Sequence, residues 1–133
     1  MEDFYKVLIV DDFESTRVFI RYVLANAGFK TTVVSNANQA LDAIDDEVFD
    51  LIITDVNLPD MDGFDFISEL STLEKLENTL IMVVSMDNSK KSRQRGESLG
   101  VTNWFSKPIS PIKLVDYLKE IKLSWEKGNS AHG

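Results

Sequence analysis

Apolar residues fall along this chain in two alternating patterns, short continuous runs rich in β-branched residues and stripes spaced three and four apart. The runs are Tyr5 to Val10 (YKVLIV), Thr31 to Val34, Phe49 to Ile53, Leu80 to Val84 (LIMVV) and Val101 to Phe105. Runs of this length and kind predict strands covered on both faces. The stripes lie between them. Glu14 to Ala27 carries Val18, Phe19, Tyr22, Val23 and Ala27 at helical spacing, and Gly28 stands where a left-handed cap is wanted. Asn36 can cap a helix bearing Ala40, Leu41 and Ile44, ended by Asp45, Asp46 and Glu47. Asp62 can cap one bearing Phe64, Ile67, Leu70 and Leu73, and Ser110 with Pro111 opens one bearing Leu114, Leu118, Ile121 and Trp125. Asn88 to Leu99 has almost no apolar stripe and a glycine at position 96, so the helix expected there is short, frayed or mobile.

Five strands alternating with helices imply an α/β fold, a doubly wound parallel sheet with right-handed crossovers and helices on both faces. In such open sheets the functional site lies outside the carboxyl ends of the strands. That rule gathers the conspicuous polar residues at one rim: Asp11 and Asp12 after the first strand, Asp55 after the third, Ser85 after the fourth and Lys107 after the fifth.

With 133 residues the chain fits one domain, expected over 1–126, with 127–133 as a loose tail. A net charge of −8 argues against nucleic acid or an anionic membrane as a direct partner. Lys90, Lys91, Arg93 and Arg95 run against that balance as a solvated face or a docking patch for an acidic partner. The absence of cysteine removes disulfides, thiolate nucleophiles and cysteine zinc sites. No apolar run reaches membrane-spanning length and MEDFYK is not a signal peptide, so a cytoplasmic location is expected.

Three carboxylates within a few ångströms repel one another, so at neutral pH either one keeps its proton or a cation joins them. An oxygen-only cluster suits a hard ion, Mg²⁺ or Mn²⁺. Lys107 adds a point charge and Ser85 a hydroxyl able to donate to an oxyanion. A carboxylate, a divalent ion, a lysine and a hydroxyl make a sufficient set for forming an acyl phosphate on an aspartate.

VLIVDD, LIITDVNLPDMDG, VVS and FSKP stand in an order and spacing that resemble the receiver domain of two-component response regulators, over Lys6 to about Trp125. The resemblance implies the flavodoxin-like, CheY-like sheet order 2-1-3-4-5. It implies Asp55 as phosphoacceptor, Mg²⁺ bound by the side chains of Asp12 and Asp55, by Asp11 through water and by the main-chain carbonyl of Asn57. It implies Lys107 pairing with Asp55 and then with the phosphoryl group, Ser85 bonding a phosphoryl oxygen, and Trp104 at the aromatic switch position. Two positions depart from the common pattern: Met86 follows Ser85 where a small residue is usual, narrowing access to Asp55, and Trp104 stands where tyrosine or phenylalanine is commoner.

The function expected is that of a phosphorelay receiver rather than a conventional enzyme. It takes a phosphoryl group from a sensor histidine kinase or histidine phosphotransfer protein, since His132 has no acid or base beside it in sequence. It then signals through the face of strands four and five to a protein target, as a monomer or a weak phosphorylation-dependent dimer. Unless the chain is a fragment, it leaves no room for an output domain after its last helix. Three rivals fit less well. A haloacid-dehalogenase-like phosphatase wants a D-x-D pair after its first strand, whereas Asn57 follows Asp55. A flavodoxin-like carrier would have its flavin phosphate repelled by Asp11, Asp12 and Glu14. A receiver-like module that is never phosphorylated has no use for the full acid, serine and lysine set.

Overall fold

The computed structural model describes residues 5–132 and orders five parallel strands as β2-β1-β3-β4-β5, the order that the resemblance implied. The strands are β1 (Lys6–Val10), β2 (Lys30–Val34), β3 (Leu51–Thr54), β4 (Leu80–Ser85) and β5 (Asn103–Ser106). The helices are α1 (Glu14–Asn26), α2 (Ala37–Asp46), α3 (Gly63–Ser71), α4 (Lys90–Ser98) and α5 (Pro111–His132), with a 3₁₀ turn at Glu74–Leu76 that the sequence pattern did not anticipate.

Strand residues alternate between two cores, which is why β1, β3 and β4 are apolar at nearly every position. Val7, Ile9, Leu51, Ile53, Met82 and Val84 meet Ile20 and Leu24 of α1 and Leu114 and Leu118 of α5. Leu8, Val10, Ile52, Ile81 and Val83 meet Ala40 and Ile44 of α2 and Phe64, Phe66, Ile67 and Leu70 of α3 on the opposite face. Each large aliphatic side chain buried this way contributes about 1.5–3 kcal/mol relative to exposure.

The stripe expected on α1 is turned differently. Ile20 and Leu24 are buried, Val23 and Ala27 pack against them, and Val18, Phe19 and Tyr22 face solvent. Apolar residues cover so much of this helix that spacing defines no unique inner line; packing against β1 and α5 selects one. Val101 lies in the turn before β5 rather than in the strand. Asp45 and Asp46 belong to α2, and α5 remains helical to His132, across most of the segment expected to be a tail. Among the described residues no helix is long and apolar enough to cross a membrane.

Local chemistry ends and starts these elements. The Asn36 side chain accepts from the Gln39 N–H at 2.8 Å at the start of α2, and Gly28 takes the left-handed conformation (φ +90°) after α1. α4 buries only Gly96, yet it forms a nine-residue helix because Ser89 caps it, accepting from the Ser92 N–H. The β3–α3 loop is closed by an antiparallel bridge between Asn57 and Asp62 and by the Gly63 N–H donating to the Val56 carbonyl at 2.9 Å.

A methyl group on Gly63 would lie 2.2–2.5 Å from the main chain of Val56. Gly63→Ala should therefore lower the unfolding free energy by about 1–3 kcal/mol in urea titration; an unchanged midpoint would show that the loop has room the geometry denies.

Candidate functional site

Hydrogen bonds of the sheet continue one residue past its strands and set three of the expected site residues in place. The Asp11 N–H donates to the Val34 carbonyl at 3.2 Å, the Asp55 N–H to the Val10 carbonyl at 3.1 Å, and the Lys107 N–H to the Ser85 carbonyl at 2.9 Å. Each polar side chain at a strand end then accepts the N–H two residues on. Asp11 Oδ1 takes that of Phe13 at 2.9 Å, Asp55 Oδ1 that of Asn57 at 3.0 Å, and Ser85 Oγ that of Asp87 at 3.1 Å. Such turns fix a short side chain against its own backbone and keep its other lone pairs facing out of the loop.

The free oxygens of the two carboxylates converge on one cation. Lys107 Nζ lies 2.8 Å from Asp11 Oδ2 and 2.8 Å from Asp55 Oδ2, and both carboxylates are buried. The ring of Phe13 lies beneath the ammonium, 4.8 Å from its centroid. Burial pushes the Asp11 carboxyl above its ordinary value, and the bonds from Lys107 and Phe13 only partly offset this. Burial alone would pull the Lys107 ammonium down, but the two carboxylates outweigh it and hold it above its ordinary value.

Asp12 is exposed beside this group, and among the described residues no three carboxylate or imidazole side chains converge closely enough to hold an ion as they stand. The donor set nevertheless fits a hard divalent cation. Two buried carboxylates share a single ammonium, an excess of one negative charge, and Asp12 adds another next to them. Asn57 is exposed in the loop after β3. Met86 is 75% exposed and lines, with Ser15, Thr16, Phe19, Pro108 and Ile109, a cleft of about 500 Å³ beside Lys107. Trp104 is turned inward at 8% exposure.

Four contributors were not singled out from the sequence. Arg17 Nη1 donates to the Asp11 carbonyl at 2.6 Å, and Phe13 lies against the lysine; nothing in the local pattern marks either. Asp60 accepts from the Ala37 and Asn38 N–H groups at 2.9 Å each, tying the loop after Asp55 to the start of α2; burial, the largest single influence, pushes its carboxyl up, but the main-chain bonds together outweigh it and hold the group below its ordinary value. Asp87 accepts from Ser92 Oγ at 2.6 Å and from the Ser89 N–H at 3.1 Å. The D-x-S-x-x-S spacing was the available signal for that last cluster.

A family model described as the response regulator receiver domain matches residues 7–119. The chain belongs to the response regulator receiver family. It is 32% identical to the chemotaxis response regulator CheY4 of Vibrio cholerae, covering 90% of this chain and 99% of that one, with a TM-score of 0.83. It is 29% identical to sporulation initiation phosphotransferase F of Bacillus subtilis, over 86% of this chain and 91% of that protein. It is 31% identical to the sensory/regulatory protein RpfC of Xanthomonas campestris pv. campestris, of whose length it spans only 17%. Receiver domains are signalling domains of two-component systems rather than conventional enzymes, and this chain has that fold.

The raised Asp11 carboxyl means that the folded receiver binds this proton more tightly than the unfolded chain does. Charged Asp11 therefore costs stability at neutral pH, and the cost vanishes as pH falls below the ordinary value of 3.8, where both states are protonated. In metal-free buffer Asp11→Asn should unfold at higher urea than wild type at pH 7, with the advantage shrinking as pH approaches 4; a constant difference across that range would contradict the assignment.

Proposed function

We propose that this chain is a phosphorylatable receiver that accepts a phosphoryl group from a partner phosphohistidine onto Asp55 and signals through the β4 and β5 edge to a protein target. The observation that carries this reading is the bridge from Lys107 to both Asp11 and Asp55, one cation held between two strand-end carboxylates. Asp55 carries the transferable position because its strand is the central one; its carboxylate, like that of Asp11, is held on one oxygen by the N–H two residues on and on the other by Lys107. In the transfer the phosphorus–nitrogen bond of the donor imidazole breaks and a phosphorus–oxygen bond to the Asp55 carboxylate forms, with the leaving electron pair retained on the imidazole. Phosphoryl transfer needs positioning and charge neutralisation more than covalent help, and this site supplies both.

Asp11, Asp12, Asp55 and the main-chain carbonyl of Asn57 are the groups that would hold Mg²⁺ or Mn²⁺, Asp11 through water. The ion would supply charge neutralisation for the entering phosphoryl oxygens. A relative of the same fold, the receiver domain of sensor histidine kinase PA1611 from Pseudomonas aeruginosa, is described with magnesium coordinated in its active site cleft. Lys107 leaves Asp11 for the new phosphoryl group, and Ser85 donates its hydroxyl to a phosphoryl oxygen. Exposed Phe19 of α1 and Met86 line the cleft beside Lys107, and Val18 and Tyr22 extend its α1 side, giving a donor protein an apolar surface to dock on. The partner is a sensor histidine kinase or histidine phosphotransfer protein, and the setting is the cytoplasm.

Driving such a switch from almost all off to almost all on takes roughly 5.5 kcal/mol of preferential stabilisation, within reach of a dianion receiving several charge-assisted bonds. α4, which buries one residue, is the element that yields.

Asp55→Asn should abolish transfer of radiolabelled phosphate from a phosphohistidine donor while its circular dichroism stays that of wild type; undiminished labelling would refute the assignment. Lys107→Ala should still take up label yet lose capture of its target in a pull-down with beryllofluoride, and wild-type capture would remove the lysine from signalling.

A further inference from the structure

One residue in the β4–α4 loop touches three elements at once. The Asp87 N–H donates to Ser85 Oγ, its carboxylate accepts from the Ser89 N–H and Ser92 Oγ in the first turn of α4, and its carbonyl accepts the indole Nε1–H of Trp104 at 2.9 Å. Because Ser85 Oγ accepts from Asp87 and donates to no acceptor among the described residues, its proton remains free for an incoming oxyanion. Trp104 is itself fixed from below and beside. A methyl group on Gly96 would lie 2.9 and 3.2 Å from its Cζ3 and Cε3, so only glycine admits the six-membered ring at that depth. Phe64 stacks on it at 6.2 Å with 27° between the planes, and the Arg95 guanidinium covers Phe64 at 4.3 Å.

We infer that Trp104 is a stationary positioning residue in this protein: seated on Gly96, it holds the Asp87 main chain and through it sets the Ser85 hydroxyl for the group carried on Asp55. Swinging the indole outward would break its hydrogen bond and leave the space over Gly96 unfilled. The ring therefore stays in its seat when Asp55 is modified, and the movement at this edge falls to the capped first turn of α4. This inference rests on the proposed role of Asp55 for its consequence, and on the Ser85–Asp87–Trp104 bonds for its geometry.

Hydrogen exchange at individual N–H groups, read by nuclear magnetic resonance on the whole chain, separates the two. Trp104→Phe keeps an aromatic ring but loses the indole donor, and Gly96→Ala drives the ring from its seat. Each should speed exchange at the Asp87 amide by about two- to tenfold, the range set by loss of one neutral hydrogen bond, while amides of β1 and β3 keep their wild-type rates. Each should slow phosphate uptake from the donor by a similar factor. Gly96→Ala should add less in the Trp104→Phe background than alone, because the smaller ring no longer meets the methyl. With magnesium and beryllofluoride present, the Trp104 indole N–H, distinguished by Trp125→Phe, should stay protected. An Asp87 amide unchanged in both variants, or an indole N–H that becomes freely exchanging with beryllofluoride, would overturn the inference. A wild-type chain that takes no label would overturn the proposed function instead, and the amide comparison would still decide the brace.

Discussion

Two buried carboxylates from different strands share one ammonium at the carboxyl edge of the sheet, and the rest of the receiver is arranged so that they can. Asp11 and Asp55 would repel each other in a poorly solvated rim, and Lys107 reaches both at 2.8 Å from the end of a third strand. Ladder bonds that outlast the strands by one residue deliver all three groups. The core below supplies rigidity, since Val10 and Ile53, immediately before or near the acids, are fully packed.

The same device recurs at three of the five strand tips. Asp11, Asp55 and Ser85 each accept the N–H two positions later, so three loops begin in the same manner, and the free oxygens of the two carboxylates meet on Lys107. Asp60 ties the central loop to α2, Asp62 caps α3, and Gly63 lets that loop close on Val56. The site is thereby organised by short polar contacts above an apolar sheet, which gives it definition without a deep cavity.

Burial is distributed unevenly across this frame. α3 buries five of its nine residues, whereas α4 buries one and is attached by the polar cluster of Asp87, Ser89 and Ser92 and by the seat of Trp104 on Gly96. An element attached by few apolar contacts opens at low cost, and this one carries Lys90, Lys91, Arg93 and Arg95 on a chain of net charge −8. α1 in turn presents Val18, Phe19 and Tyr22 to solvent. The chain thus exposes two chemically distinct surfaces, apolar on α1 and basic on α4.

The sequence by itself determined the five strands, their parallel arrangement and the rim at which Asp11, Asp12, Asp55, Ser85 and Lys107 gather. Continuous β-branched runs followed by a polar residue encode a buried strand and its exit locally, so no distant information is needed. Tertiary structure decided everything that depends on which surfaces meet. It turned Ile20 and Leu24 of α1 inward and Phe19 and Tyr22 outward, because a helix with apolar residues on most of its circumference acquires an inner face only from its neighbours. It placed Lys107 on Asp11 as well as Asp55 while leaving Asp12 exposed, and it gave Asp60, Asp87 and Gly96 their roles. The Asp60 bonds and the Trp104 contacts with Asp87 and Gly96 join residues 8 to 23 positions apart, set by the docking of α2, α4 and β5, whereas the serines on Asp87 follow a local spacing.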